Sequence, residues 1–304
     1  MTAPSDIVFL LDCDNTLLDN DRVQHDLRAH LESEFGVASS DRYWAIFEAL
    51  RTELGYADYL GALQRYRLDD QHDPRLLRVS SFLVDYPFSE RIYPSALPAI
   101  AHLGRHGPVV ILSDGDVVFQ PIKIQRSGLW DAVQGRVLIY IHKEASLADV
   151  AQRYPARHYV MVDDKLRILA AMKAVWNARL TTVFVRQGHY ALDTANAAAY
   201  PPADASIERI SDLADLDPAT WRNVTSSTLR VPEPITRMRS TGKLWPSVWF
   251  DSSRSMRERN GASALARIPG PVRPTSSLSA SSACNSSLVS HRPGSSKRSA
   301  SALA

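Results

Sequence analysis

Cysteine is nearly missing from this 304-residue chain: Cys13 and Cys284 are the two present. One lies beside an apolar segment and the other in a Ser-rich stretch, so neither a disulfide framework nor a cysteine-ligated zinc site is supported. Long apolar runs are missing too, and none approaches the ~20 residues that a membrane-spanning helix needs. Residues 1–6 lack the basic region and apolar core of a signal peptide, which leaves a soluble cytoplasmic protein as the expectation.

Positive charge is outweighed by negative over most of the chain. Residues 223–304 hold 12 Lys/Arg against 3 Asp/Glu, so the whole-chain net charge of +2 leaves −7 on the first 222 residues. An acidic globular part argues against a nucleic-acid surface there. The basic segment is crowded with Ser, Arg, Pro and Ala and shows no sustained periodicity, which reads as a disordered tail with too little apolar surface to offset its ordering entropy.

The remainder is patterned. Ile7, Val8, Phe9, Leu10 and Leu11 form a short run of β-formers that ends abruptly at Asp12, as a buried strand of a parallel sheet does. Residues 23–86 read as helical throughout: Leu27, Leu31 and Phe35 recur every fourth position, and Trp44, Phe47, Leu50 and Leu54 follow three-and-four spacing. Short helices are expected around Leu60, Leu63 and Tyr66, and around Leu76, Leu77, Phe82 and Leu83. From residue 96 strands and helices alternate, with strands at 109–112, 136–141, 159–162 and 181–185 and helices at 96–105, 117–126, 146–154 and 166–177. The expected fold is α/β, a doubly wound parallel sheet (residues 1–20 and 90–222) interrupted by a helical insertion (21–89) and followed by the tail (223–304).

Three of these strands end in polar clusters: Asp12-Cys13-Asp14-Asn15-Thr16-Leu17, then Ser113-Asp114-Gly115, then Asp163-Asp164-Lys165. In a parallel sheet all three meet at one edge, where ligands bind. Carboxylates gathered so closely repel unless a cation joins them, and oxygen donors of this kind suit Mg²⁺.

Asp12-x-Asp14-x-Thr16-Leu17, Ser113, a following lysine and Asp163-Asp164 resemble, in order, the four motifs of the haloacid dehalogenase superfamily, over roughly residues 6–216. The resemblance implies Asp12 as a nucleophile that forms an aspartyl-phosphate. It implies Asp14 as general acid and then base, offering its backbone carbonyl to Mg²⁺, with Asp12, Asp163 and Asp164 completing the metal site. Ser113, Asp114, Gly115 and the lysine would hold the phosphoryl group. Lys143, after the 136–141 strand, is preferred for that lysine over Lys123, whose mid-helix place reads as solvated. Ser113 also reads as a helix cap, as do Asp163 and Asp164.

By the same resemblance the insertion occupies the place of a C1 cap, a lid over the site, and the substrate expected is a small phosphorylated metabolite. Arg22, His25, Arg42, Tyr43, Trp44 and Tyr59 are its candidate contacts. A 2-haloacid dehalogenase generally lacks an acid/base Asp two residues after the nucleophile, so Asp14 speaks against that branch. A phosphonate hydrolase needs a cap lysine, and residues 23–86 contain none. A phosphomutase stays open, as does a non-catalytic binding protein on the same fold.

Overall fold

The side chains of β1 (Ser5–Leu11) alternate between two buried clusters, Ile7, Phe9 and Leu11 on one face and Val8 and Leu10 on the other. That double burial makes it a central strand. The structure, a computed structural model, describes residues 4–69 and 71–215. The tail expected to be disordered lies outside the described residues, as do positions 216–222.

The other strands are β2 (Val109–Asp114), β3 (Val137–Tyr140), β4 (Ala156–Asp163), β5 (Leu180–Val185) and β6 (Ala205–Ile207). All pair in parallel, in the order β3-β2-β1-β4-β5-β6. The chain moves outward from β1 through β2 to β3, then returns to β4 on the opposite side of β1. The crevice beyond the carboxyl end of β1 is therefore the topological switch point of a doubly wound sheet. The strands read from sequence are all found; β6 was not read, being only three residues long.

Between β1 and β2 come α1 (Asn20–Phe35), α2 (Val37–Leu54), α3 (Tyr59–Tyr66) and α4 (Arg75–Asp85). Asp19 caps α1 by accepting from the Arg22 amide, and Asp58 caps α3 by accepting from the Gly61 amide. Val23, Leu27 and Leu31 of α1 and Trp44, Phe47 and Leu50 of α2 are buried together with Tyr43 and Tyr59. Leu77 is exposed, because the inward stripe of α4 runs through Leu76, Val79 and Leu83 and leaves Leu77 off it. The base of the insertion is a narrow ladder: Leu18 bridges Ile92, the Asp19 amide donates to the Arg91 carbonyl at 2.7 Å, and the Tyr93 amide to Leu17 at 3.0 Å.

After the insertion come α5 (Ala96–Leu103), α6 (Phe119–Arg126), α7 (Leu129–Ala132), α8 (Leu147–Arg153), α9 (Leu166–Trp176), α10 (Gly188–Leu192) and α11 (Thr194–Ala199). Helices α5 and α6 pack with the insertion on the Phe9 face of the sheet, and α8 and α9 on the Leu10 face. Helix α6 starts two residues later than the apolar pattern indicates. Val117 and Val118 are exposed, while the Asp116 carboxylate caps the helix by accepting from the Val118 and Phe119 amides. Among the described residues no helix is long and apolar enough to cross a membrane.

Candidate active site

Asp12 follows β1 directly, 3 % exposed, its amide donating to the Val162 carbonyl at 3.0 Å. The chain then turns back on itself, the Leu17 and Leu18 amides both donating to the Cys13 carbonyl. Asn15 sits in the turn at φ +60° and ties it to the start of α1, its Oδ1 accepting from the Asn20 and Asp21 amides and its Nδ2 donating to Asp21. Cys13 is fully buried, and burial together with Asp14 pushes its thiol well above the usual range, so it packs as an inert neutral side chain.

Lys143 comes to Asp12 from the loop after β3. Its Nζ lies 2.5 Å from Asp12 Oδ1, 2.7 Å from Asp163 Oδ2 and 3.3 Å from the Leu112 carbonyl, and it is 1 % exposed. Burial favours the neutral amine, but Asp12 and Asp163 outweigh it and hold the ammonium well above the usual lysine range. At the end of β2, Ser113 is buried and its Oγ accepts from Gln120 Nε2 at 2.9 Å. The cap of the next helix is Asp116, so Ser113 does not serve in that role. Asp114 Oδ1 accepts from the Lys143 amide at 2.7 Å. The Gly115 amide already donates to the Tyr140 carbonyl, and a Cβ at this position would come within 2.9 Å of Gln120.

Asp163 and Asp164 close the third side. Asp163 Oδ1 accepts from the Lys165 amide at 2.8 Å, whereas both oxygens of Asp164 are buried without a hydrogen bond, as is Asp12 Oδ2. Burial, reinforced by Asp12, pushes both carboxyls above the usual range. One donor oxygen from each of Asp12, Asp163 and Asp164 lies within 4.8 Å of the others. Buried carboxylate oxygens without donors, turned toward one another, fit a small oxygen-seeking divalent cation.

Asp14 is not part of that cluster; its side chain turns toward α6. Lys123 Nζ donates to both of its oxygens at 2.8 and 2.9 Å and to Asn20 Oδ1 at 3.0 Å, with Gln120 Nε2 at 3.4 Å. The solvated reading of Lys123 is thus overturned: it is 1 % exposed, with the rings of Tyr59 and Phe119 5.9 and 5.6 Å from its Nζ. The spacing held a clue. Gln120 and Lys123 fall at i, i+3 on the same stripe as buried Phe119 and Ile124, where a polar side chain needs a partner.

The site opens into a cleft of about 370 Å³ walled by the strand ends and the insertion. Helices α1 and α2 and the loop after them contribute Asn20, Gln24, Phe47, Arg51, Gly55, Tyr56 and Ala57. None of Arg22, His25, Arg42, Tyr43, Trp44 or Tyr59 lines it. Arg22, His25 and Arg42 are exposed, Arg22 pairing with Asp26 and Arg42 lying over the Tyr66 ring, while Tyr43, Trp44 and Tyr59 are core residues, Tyr43 donating to the Tyr59 carbonyl at 2.8 Å. From the core come Asp14, Asn15, Asp114, Lys165, Arg167, Tyr190 and Tyr200, among others.

Comparison with known proteins agrees with this architecture. No protein-family model matches the chain and no curated protein matches it. Among solved structures, a haloacid dehalogenase-like hydrolase from Burkholderia xenovorans LB400 is 71% identical over 70% of this chain and 100% of its own, with a TM-score of 0.68. A haloacid dehalogenase-like family hydrolase from Xanthomonas campestris (16% identity, 69% and 90% covered, TM-score 0.52) shares the fold. So does the L-2-haloacid dehalogenase PA0810 (17% identity, 70% and 99% covered, TM-score 0.51). Fold and strand-end cluster thus define a hydrolase of the haloacid dehalogenase type. At this level of identity, over the whole of the Burkholderia protein, the chain belongs to the haloacid dehalogenase-like hydrolase family.

Proposed function

We propose that the protein is a Mg²⁺-dependent phosphatase that hydrolyses a small phosphorylated metabolite through an aspartyl-phosphate on Asp12. The observation that carries the reading is Asp14, a second carboxylate two residues beyond the nucleophile, fixed by Lys123 on the wall of the cleft. Carbon–halogen cleavage has no use for an acid that protonates a leaving oxygen, whereas phosphate ester cleavage does. Buried carboxylates without hydrogen-bond donors on Asp12 and Asp164 support the same reading.

In this mechanism Asp12 Oδ2 attacks phosphorus while Oδ1 stays with Lys143, and the bond to the leaving oxygen breaks as Asp14 delivers its proton there. Asp14 then takes a proton from water, which attacks the phosphorus and releases Asp12 and inorganic phosphate. Ser113 takes a hydrogen bond from Gln120 and donates to the Asp114 carbonyl at 3.4 Å, a long bond that a phosphoryl oxygen would replace. Asp12, the Asp14 carbonyl, Asp163 and Asp164 would hold Mg²⁺, which neutralises phosphoryl charge when bound. The insertion serves as a C1-type cap over the cleft, excluding water and contacting the leaving group.

The test is release of phosphate from an aryl phosphate by the full chain with Mg²⁺, with EDTA, and with Asp12→Asn. Release lost in both controls supports the reading. Release that persists in EDTA, or halide release from a 2-haloacid at a comparable rate, overturns it.

A further inference from the structure

Two lysines flank the carboxylate cluster, and they are used differently. Lys143 is spent on Asp12 and Asp163. Lys165, half-buried on the wall of the cleft, makes no side-chain hydrogen bond or ion pair among the described residues; its ammonium lies 5.0 Å from the ring centroid of Tyr190. Arg51 of α2 donates to the phenolic oxygen of the same Tyr190. An ammonium and a guanidinium thus converge on one aromatic side chain, the first from the strand-end loop and the second from the insertion.

Against the effect of burial, Asp164, Asp12 and Asp163 of the cluster hold the Lys165 ammonium above the usual lysine range, while the other charges on the wall are largely satisfied. Asp14 is neutralised by Lys123, and Arg167, also on the wall, is paired with Glu144 at 2.7 Å. Arg51 shares Glu48 at 2.9 Å, an i, i+3 surface pair that screening makes weak. Asp114 is the remaining carboxylate on the wall, and its Oδ1 is turned to the Lys143 amide. Once a divalent cation shares Asp12, Asp163 and Asp164, the cleft holds Lys165 and a part-spent Arg51 beside the reaction centre, and is built for a ligand with more negative charge than a phosphoryl group alone.

We propose that Lys165 and Arg51, bridged by Tyr190, form a second anion subsite, and that the substrate is a small phosphate monoester carrying another anionic group on its leaving half. The proposal rests on the phosphatase reading for the word substrate, but the subsite itself is a binding claim. A carboxylate and a second phosphoryl group share the chemistry, and a cleft of about 370 Å³ sits at the small end of ligand sites, so the two anions are separated by a few bonds. Because Arg51 belongs to the insertion and Lys165 to the sheet, such a ligand would be gripped from both.

Binding of phosphonates, which are not hydrolysed, separates this claim from catalysis. The full chain with excess Mg²⁺ is titrated calorimetrically with propylphosphonate, 3-phosphonopropanoate and propane-1,3-diphosphonate. One of the two doubly anionic ligands is expected to bind at least about tenfold tighter than propylphosphonate, and which one wins identifies the second group. Lys165→Met and, independently, Arg51→Met are expected to erase most of that difference. Equal affinities for all three ligands, no binding of any, or a preference that survives both substitutions would overturn the subsite. If the preference is found and depends on Lys165 while no phosphate ester is hydrolysed, the subsite stands and the phosphatase reading falls.

Discussion

Lys123 holds Asp14 by both carboxylate oxygens, from a position buried between α6 and the insertion, and the same ammonium reaches Asn20 at the first residue of α1. One buried cation thus fixes the Asp14 carboxylate, the acid and base of the proposed mechanism, and the point where the insertion leaves the sheet. Lys123→Met keeps the stem packed near Tyr59 and Phe119 but removes the ammonium. Asp14 is 22 % exposed and can take water instead, so the expected loss of stability is about 1–3 kcal/mol rather than unfolding. The expected loss in kcat is about 10–100-fold, below the 10²–10⁴-fold range of acid–base help. It should be larger for alkyl than for aryl phosphates, because a poor leaving group needs the proton more. A uniform loss across leaving groups would show that Lys123 acts only on the fold.

Much of this arrangement was legible in the sequence for a physical reason. A parallel strand buried on both faces must be an unbroken apolar run, so Asp12, Ser113 and Asp163 announce themselves where such runs stop. Their convergence follows from the parallel sheet alone. Tertiary pairing was not legible. Arg51 and Tyr190 meet across 139 positions of chain, and no local period encodes that contact. The cleft-facing residues of the insertion were missed for a related reason: periodicity says which stripe of α1 and α2 is buried, but not which end docks over the sheet. Lys123 lay between these cases, since its stripe was readable and its partner was not.

Metal removal gives a second prediction, resting on Asp164. A buried carboxylate without a hydrogen bond destabilises the protein whenever no cation shares it. Mg²⁺ at a hundred times its Kd should add about 2.7 kcal/mol, a rise in Tm of about 5–10 °C for a domain of this size. Asp164→Asn should melt higher than wild type in EDTA and should lose most of the Mg²⁺-induced rise. Differential scanning calorimetry reads both quantities, and an undiminished Mg²⁺ shift in the variant would remove Asp164 from the metal site.

Asp114 supplies a pH prediction. Burial pushes its carboxyl up to about 6, with Lys143 pulling the other way. Folded Asp114 therefore keeps its proton at pH values where the unfolded chain, with a pKa of about 3.9, has released it. Raising the pH between these values costs folded-state stability, and above about pH 6 the cost is fully expressed, on the order of 3 kcal/mol at most. Asp114→Asn can still accept from the Lys143 amide and carries no charge. In EDTA its Tm should exceed that of wild type near pH 7.5 and match it near pH 4. A difference that does not change with pH would mean that the substitution acts through packing instead.

Gly188 tests how tightly the turn after Asp12 is built. Its φ is +71°, and a Cβ there would lie 2.5 Å from the Cβ and Cγ of Asn15, the residue that ties the turn to α1. Gly188→Ala therefore carries two costs, left-handed strain of about 1–2 kcal/mol and a clash that flexible side-chain ends cannot relieve. Gly128 offers the matched control: its φ is +81°, and nothing lies within 4 Å of its Cβ position. Gly128→Ala should lower Tm by about 2–8 °C through strain alone, and Gly188→Ala by clearly more. Only Gly188→Ala should also reduce kcat, because moving Asn15 moves the turn that aims Asp12 and Asp14. Equal effects of the two substitutions on Tm and kcat would mean that the approach of Gly188 to Asn15 has no part in holding the catalytic turn.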